Sequence, residues 1–315
     1  MTSPFISIGE SIHASIPRTG KVMKQLRELG ANAYSAPSEA LDYIKDLIES
    51  QAADGADYIA VNLDAFGEDE PQVAVDMMVE YTRLVRRWGG GVPICIDSSD
   101  DNVLMAGLKE WYNTTERAAQ PLVNSIKVYT MDNMFGLKKN YDYAFVGLLM
   151  AEAGKSHSVD ELYAMARQIF NEAAGKYGFK PEEIFFDSTI FPLAIDMPMQ
   201  PGEPSYTYKT FETIKKIKSD PDMKGAHFTG GVSNCARDLP ARKTGIMRAF
   251  VHKAMEYGMD SGIVNVKHHL SHGEPDPELL KLVDAYAKMD GSAEKMTEAM
   301  TLMAKFCQDS RKPAE

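Results

Sequence analysis

Cysteine is scarce in this sequence, and long apolar runs are missing. The three cysteines, Cys95, Cys235 and Cys307, are widely spaced, and none lies in a Cys-x-x-Cys pair. This pattern indicates reduced thiols and a cytosolic setting. No stretch approaches the roughly 18 consecutive apolar residues of a membrane span, and residues 1–9 lack the charged start and apolar stretch of a signal peptide. We therefore expect a cytoplasmic protein without a membrane segment.

Positive charge is also in short supply. The chain has 34 Lys and Arg against 45 Asp and Glu, which gives a net charge of −11. Neutralising the phosphates of a nucleic acid requires clustered Lys and Arg, so this balance argues against a nucleic-acid-binding protein. An acidic surface is compatible with small-molecule substrates or with a protein partner that carries a basic patch.

Eight short apolar segments, each followed by a helical pattern, predict the fold. The chain of 315 residues, 44% of them hydrophobic, suffices for one TIM barrel, which typically needs about 250 residues. Strands that alternate with helices imply a parallel sheet with helical crossovers, and eight such units favour a closed (β/α)8 barrel over an open sheet. We expect one domain over residues 1–315. The predicted strands are Phe5–Ile8, Tyr58–Leu63, Pro93–Asp97, Leu122–Ile126, Tyr143–Met150, Ile184–Asp187, Ala226–Phe228 and Ser261–Val266.

Helix boundaries and two irregular segments complete this picture. Ser38 is a suitable cap for an amphipathic helix over Ala40–Ala53, and Ser158 and Gly178 bracket another over Val159–Tyr177. The stretch 192–208 is rich in Pro and Met and follows the sixth strand, so we expect a long loop on the catalytic face. Residues 292–315 predict a final helix and a polar tail.

Polar side chains stand at the carboxyl ends of several predicted strands. Asp97, Asn124, Asp187 and Asn234 follow strands three, four, six and seven. Strand ends converge on one face of a parallel barrel, where active sites are built. Three further residues belong to the same predicted site, namely Asn62, which ends strand two, and Gly231 and Ser233, which precede Asn234.

These side chains suit a flat, polar heterocycle. A buried carboxylate needs several donors, and a ligand edge with an amino group beside a ring N–H supplies two, which Asp187 or Asp97 could accept as a pair. Asn amides suit ring carbonyls and ring nitrogens. Gly231 allows the backbone to approach a ring closely.

Helix capping is the alternative explanation for each of these polar residues. Asp97 and Asn124 are each followed by serine, and capping is the commonest role of such residues at a turn between strand and helix. Four of them at one barrel face favour ligand binding over capping. The separate cluster of His268, His269 and His272 lacks an acidic or Cys ligand at metal spacing, so we expect no intrinsic metal.

Six short motifs carry a resemblance to a known family. In colinear order from Ser7 to Asn265, the chain resembles the pterin-binding (dihydropteroate synthase-like) domain, and within it the methyltetrahydrofolate:corrinoid methyltransferase branch. The motifs are Ile8-Gly9-Glu10-Ser11-Ile12, Ile59-Ala60-Val61-Asn62, Cys95-Ile96-Asp97-Ser98, Val123-Asn124-Ser125, Phe186-Asp187 and Gly231-Val232-Ser233-Asn234.

The resemblance implies roles for individual residues. It places tetrahydrofolate in the barrel mouth, with Asp97, Asn124 and Asp187 binding the pterin ring. Asn234 corresponds to the residue that reaches N5, the nitrogen that carries the methyl group, and is the expected catalytic residue. A hydrogen bond there would stabilise the transition state more than the ground state. Arg237 and Arg242 correspond to side chains near the pterin.

The chain departs from both branches of the family. The Asp-x-Gly-x-Glu-Ser motif of the synthase branch is missing at Asn62-Leu63-Asp64-Ala65, and its basic anion-binding motif is missing at 264–269. From the methyltransferase pattern the chain differs at His13 and Lys127. These differences suggest a subfamily, one that serves an O- or N-demethylation system. His13 either touches the substrate or fills the space left by an Asn.

The resemblance therefore implies a methyltransferase that acts between a corrinoid protein and N5 of tetrahydrofolate, in the direction that forms methyltetrahydrofolate. The corrinoid-binding signature Asp-x-His-x-x-Gly does not occur, so cobalamin is expected on a partner corrinoid protein. Barrels of this branch tend to be homodimers, which implies a homodimer here. The alternatives are a dihydropteroate synthase-like pterin enzyme and a folate-binding protein without catalysis.

Overall fold

The computed structural model describes residues 5–150, 157–198 and 202–310. Its eight strands are all parallel and follow the order β7-β6-β5-β4-β3-β2-β1-β8. This arrangement confirms the predicted TIM barrel, and every predicted strand has an observed counterpart. The strands are β1 (Ile6–His13), β2 (Tyr58–Asn62), β3 (Ile94–Asp97), β4 (Leu122–Lys127), β5 (Ala144–Leu148), β6 (Ile184–Asp187), β7 (His227–Phe228) and β8 (Ser261–Val264).

Helices surround the strands, and none in the described part of the chain could cross a membrane. The α-helices are α1 (Pro17–Glu28), α2 (Glu39–Ala53), α3 (Asp64–Gly67), α4 (Pro71–Trp88), α5 (Asp101–Trp111), α6 (Met131–Phe135), α7 (Val159–Tyr177), α8 (Tyr206–Lys218), α9 (Lys243–Tyr257), α10 (Pro277–Ala287) and α11 (Ala293–Asp309). Short 3-10 helices cover Ala31–Tyr34, Gly136–Lys139, Pro181–Glu183, Leu193–Ile195, Val232–Ala236 and Val266–His268.

Two predicted helices begin at the serines that the sequence indicates. The Ser38 hydroxyl accepts the Leu41 N–H at the start of α2. Ser158 and Glu161 form a reciprocal capping box at the start of α7, and Gly178 ends that helix in the left-handed conformation at φ 73°.

The barrel closes between β8 and the segment that follows β7. The Ile263 N–H donates to the Gly230 carbonyl at 2.9 Å, and Gly231 forms a parallel bridge with Ile263. On its other side β8 pairs with β1, where Gly9 lies opposite Val264. The segment after β7 is therefore close to β1 in space.

Two apolar clusters fill the structure. The larger one lies between the strands and the helices. The smaller one fills the barrel interior and includes the buried Cys95. Ala60 belongs to this interior cluster and also lines the cavity at the barrel mouth, so the cluster forms the floor of the site.

Two boundaries differ most from the sequence prediction, the end of β1 and the start of α8. β1 continues to His13, five residues past its predicted end at Ile8, because it also pairs with β2 beyond a register shift between Gly9 and Ile12. Within the predicted loop 192–208, α8 already begins at Tyr206, since Ser205 caps it; residues 199–201 of that loop lie outside the described residues. The predicted tail after α11 lies largely outside them too, because the description ends at residue 310.

Candidate active site

A cavity of about 540 Å³ opens at the carboxyl ends of the strands. This volume lies in the range of small-molecule sites, and the position is where TIM barrels carry their chemistry. Its lining brings together six of the nine predicted site residues. The lining side chains are Glu10, Ile12, His13, Ser15, Ile16, Ala60, Asn62, Asp97, Asp187, Gly231, Ser233, Asn234 and Ile263.

Asp97 and Asn124 form a hydrogen-bonded pair on neighbouring strands. They lie opposite each other in the register of β3 and β4, and the Asn124 Nδ2 donates to Asp97 Oδ1 at 3.0 Å. Burial raises the pKa of Asp97 to about 7, and the negative charge of Asp64 adds to this effect. A hydrogen bond from the Asn62 side chain lowers the pKa of Asp97 and so offsets part of this rise. Asn124 is itself buried and holds the carboxyl group from the side.

Asp187 and Asn62 each make one local backbone contact. The Asp187 Oδ1 accepts the Thr189 N–H at 2.7 Å, and the Asn62 Oδ1 accepts the Asp64 N–H at 3.2 Å. Burial nevertheless raises the pKa of Asp187 to about 6, so the single backbone donor does not offset the loss of water around the carboxylate.

Helix capping does not account for Asp97 or Asn124. The side chain that caps α5 is Asp100, which accepts the Asn102 N–H. At α6 the cap position is Thr130, without a side-chain cap. The Asn124 amide instead donates to Asp97, and Asp97 lines the cavity.

Asn234 lies in the 3-10 helix that follows the two glycines after β7. A side chain on Gly231 would place its Cβ 3.0 Å from the Asn234 Nδ2, and one on Gly230 would place it 2.8 Å from the Ile190 Cδ1. Glycine at these two positions therefore makes room for the Asn234 amide over the backbone and for Ile190 beside it. The structure explains glycine at position 231 by this contact with Asn234 and not by the close approach of a ligand.

Glu10 is a site residue that the sequence analysis did not assign. It extends from β1, and its Oε2 accepts the Ser233 Oγ at 3.1 Å. Burial raises its pKa to about 7, against the effect of hydrogen bonds from Ser233 and from the backbone of Asn265. The first strand was expected to end at Ile8, so Glu10 was not placed at a strand end. The available signal was Ile12, an apolar residue at even spacing from Ile6 and Ile8, which extends the strand pattern past Glu10.

His13 ends β1 and also lines the cavity. Its Nδ1 accepts the Ser15 N–H at 3.1 Å. Burial lowers the pKa of His13 against the opposing charge of Asp64, which favours the neutral imidazole. The structure thus places His13 at the mouth, where it can contact a ligand.

The two predicted arginines lie elsewhere. Arg242 is exposed, pairs with Asp276 and lines a different cavity beside α10 and α11. Arg237 is an exposed residue at the end of the 3-10 helix Val232–Ala236. Neither is among the described residues that line the mouth. Their proximity to Asn234 in the sequence does not bring them into the lining of the cavity.

The described lining thus offers carboxyl and amide groups, and it contains no Lys or Arg. Among the described residues, no cluster of three or more His, Cys, Asp or Glu has the geometry of a metal site. Such a site can bind an uncharged ligand rich in N–H donors, and it can hold or release protons near neutral pH.

This chain is similar to several known proteins. A model of the pterin-binding enzymes matches residues 34–265, well over half of the chain. Methionine synthase of Mycobacterium tuberculosis is 26% identical over 247 residues, which are 75% of this chain and 19% of that protein. The chain thus spans about a fifth of this curated relative. A solved structure of Yersinia pestis DHPS with a pterine-sulfa conjugate matches with a TM-score of 0.49 and 12% identity, over 90% of this chain and 93% of that one.

Proposed function

We propose a methyl-transfer function for this chain, which belongs to the pterin-binding enzyme family. In this proposal the enzyme moves a methyl group from a methylated corrinoid protein to N5 of tetrahydrofolate and so forms methyltetrahydrofolate. The match to methionine synthase supports folate-related methyl transfer over other pterin chemistry.

The observation that carries the proposal is that polar side chains reach one cavity from several strand ends. Asp97 and Asn124 form a polar pair on β3 and β4, and Asp187 ends β6. Asn234 lies across the barrel from β3 and β4, in the segment that closes the barrel against β8. We propose that the first three residues and Asn62 bind the pyrimidine edge of the pterin, and that Gly231 and Ser233 line its other edge.

Asn234 is the proposed catalytic residue. Its amide oxygen accepts a hydrogen bond from N5–H, which leaves the N5 lone pair free and in line with the methyl carbon. As the N5–methyl bond forms, the bond to cobalt breaks, and its electron pair stays on the metal. Positioning of the two reactants in line supplies much of the rate, since this effect can be worth roughly 7–11 kcal/mol.

The corrin is a substrate carried by another protein in this proposal. The described lining contains no metal-binding cluster, and methyl transfer by displacement at carbon needs no resident metal. With the corrin on a separate protein, this chain would be the tetrahydrofolate-dependent methyltransferase component of a demethylation system. A homodimer remains part of the proposal.

The proposal is tested by mixing the purified chain with tetrahydrofolate and methylcobalamin under anaerobic conditions and following the corrin absorption. We expect loss of the methyl-cobalt band and formation of methyltetrahydrofolate. Loss of one transition-state hydrogen bond costs roughly 10²–10³ in rate, so Asn234→Ala should slow transfer by that factor and leave folate affinity within a few-fold. Binding without transfer in the wild type, also with corrinoid proteins supplied, would favour a binding protein instead.

A further inference from the structure

Glu10 stands out among the cavity residues because the binding of the pterin edge leaves it without a role. Its carboxyl group is held in place from two sides, by the Ser233 hydroxyl at 3.1 Å and by the backbone N–H of Asn265. Both contacts come from segments that follow neighbouring strands, β7 and β8. The side chain is therefore positioned to face the cavity.

Glu10 lies on the same side of the cavity as Asn234. Ser233, its hydrogen-bond partner, directly precedes Asn234, and both residues line the cavity together with Glu10. β1 also pairs with β8, and β8 is bridged to Gly231. A ligand N–H that donates a hydrogen bond to Asn234 would thus also lie near the Glu10 carboxyl group.

The surroundings of Glu10 allow it to change its protonation near neutral pH. The other titratable groups of the described lining are His13 on β1, Asp97 on β3 and Asp187 on β6, and Cys235 lies buried nearby. His13 favours its neutral form, because burial lowers its pKa. Burial raises the pKa of Glu10 to about 7 even though the two hydrogen bonds act to lower it.

The proposed reaction needs a proton acceptor at N5. Tetrahydrofolate carries a hydrogen on N5, and this nitrogen becomes a cation when its lone pair forms the bond to the methyl carbon. The cobalt–carbon electron pair leaves with the metal, so one proton must depart from N5 to give neutral methyltetrahydrofolate. A carboxylate within hydrogen-bond reach, directly or through one water, is a suitable acceptor.

We propose that Glu10 is a catalytic residue of this site and that its carboxylate takes the proton from N5 as the methyl group is transferred. In the reverse direction the protonated Glu10 returns that proton to N5 and makes the amine a better leaving group. This inference rests on the proposed methyl transfer. Asp97 is the competing acceptor, but its Oδ1 is engaged by the Asn124 amide on another side of the cavity.

The test is the pH profile of single-turnover methyl transfer from methylcobalamin to tetrahydrofolate. For the wild type we expect the rate to rise with pH through about 7, as Glu10 loses its proton. Glu10→Gln should lower the rate roughly 100-fold or more and remove this step from the profile, while calorimetry still detects tetrahydrofolate binding. Glu10→Asp should restore a pH step at a reduced rate.

Two further variants separate a chemical role from a structural one. Ser233→Ala removes a hydrogen bond that lowers the pKa of Glu10, so the step should move to higher pH. Glu116→Gln neutralises an exposed glutamate in the connection before β4, at the opposite end of the barrel, and should match the wild type.

The outcomes distinguish this inference from the proposed function. If the wild type transfers no methyl group at any pH, the proposed function itself fails and takes the role of Glu10 with it. If the wild type transfers and Glu10→Gln keeps the same rate and the same step, only the role of Glu10 is overturned. A step that is instead removed by Asp97→Asn alone would assign the proton to Asp97.

Discussion

The carboxyl groups of Asp97 and Asp187 occupy a cavity whose described lining lacks a basic residue other than His13. A buried carboxylate is costly without donors or a cation, and this cost appears as the raised pKa of each group, to about 7 and about 6. The edge of a pterin, with an amino group beside a ring N–H, supplies the missing donors. Ligand and protein are thus expected to complete each other's hydrogen bonds.

Binding of tetrahydrofolate should therefore release protons. Donors on the ligand favour the carboxylate form, so the pKa of Asp97 or Asp187 falls on binding and its proton passes to the buffer at pH 6.5. Calorimetric titrations in phosphate and in imidazole should differ in apparent enthalpy by the released fraction times the difference in buffer ionisation enthalpy.

Variants assign the released proton. Asp97→Asn or Asp187→Asn should abolish the release for the residue that accepts the pterin edge, whereas Glu116→Gln should leave it unchanged. Equal binding enthalpies for the wild type in both buffers would contradict a carboxylate–pterin contact of this kind.

Some site residues could be predicted from the sequence, and others could not. Asp97 directly ends an apolar run and β3, so the strand-end rule is sufficient to locate it. Asn124 ends an apolar run as well, but β4 continues past it to Lys127. Glu10 was overlooked because Gly9 and Glu10 interrupt the apolar run of the first strand. The resemblance implies that Arg242 lies near the pterin, but its pairing with Asp276 depends on how α9 and α10 pack.

At the scale of elements, a buried carboxylate joins the segment after β6 to the first turn of α8. Asp196 is fully buried. Its oxygens accept the backbone N–H groups of Tyr206 and Thr207, each at 2.8 Å, and the Thr207 hydroxyl at 2.5 Å. Ser205 caps the same helix through the Tyr208 N–H. These bonds fix the start of α8 beside the mouth.

Asp196→Ala should lower the free energy of unfolding by about 2–4 kcal/mol, because two backbone donors and one hydroxyl lose their acceptor in a buried place. Asp196→Asn keeps one carbonyl oxygen as an acceptor and should lower the free energy of unfolding by less. The control is Asp100→Ala, which removes the single cap of α5 and should cost about 1 kcal/mol.

Urea denaturation with an unchanged m-value measures these differences. An Asp196→Ala protein as stable as Asp100→Ala would show that Asp196 is not the main anchor of α8.

Long helices with a clear periodic pattern could be predicted from the sequence, and short helices could not. The helices α2 and α7 have 15 and 19 residues, with serine caps, and both were predicted. The helices α3 and α6 have four and five residues, too few to establish a 3.6-residue period. The start of α8 falls inside the predicted loop 192–208. Asp196, whose hydrogen bonds fix this start, precedes it by ten residues, so no local pattern indicates it.

At the scale of the whole molecule, closure of the barrel creates the site. Glu10 and Ser233 are 223 residues apart in the sequence and 3.1 Å apart in the structure. The regular repeat of strands and helices predicted the barrel, and with it the common face of the strand ends. Contacts across the closure between β1, β8 and the segment after β7 depend on register, which the sequence pattern does not specify.

The titratable groups of the cavity should also affect how the free energy of unfolding depends on pH. The folded-state pKa of Asp97 lies above the value near 4 of an unfolded chain. The stability that Asp97 contributes is therefore fully present below about pH 4 and is lost as pH rises through about 7. Glu10 and Asp187 act in the same direction, whereas His13, with its lowered pKa, favours stability at higher pH.

We expect the ligand-free wild type to lose more stability between pH 5 and pH 8 than the Asp97→Asn variant, whose amide does not ionise. Carboxyl groups with lowered pKa, such as Glu110 and Asp284, lose their stabilisation only below about pH 4 and do not affect this window. The urea concentration at the midpoint of unfolding, measured for both proteins at several pH values between 5 and 8, gives the comparison. Parallel curves for the two proteins would contradict an elevated pKa at Asp97.

The central claim is that a methyl group moves from cobalt to N5 of tetrahydrofolate within this cavity. The most direct measurement is ¹³C NMR of the chain mixed with tetrahydrofolate and methylcobalamin labelled in the methyl carbon. The account predicts that the label leaves the cobalt-bound resonance and appears at that of N5-methyltetrahydrofolate with the wild type, and far more slowly with Asn234→Ala. A label that stays on cobalt while tetrahydrofolate occupies the cavity, with a corrinoid protein supplied as well, would contradict it.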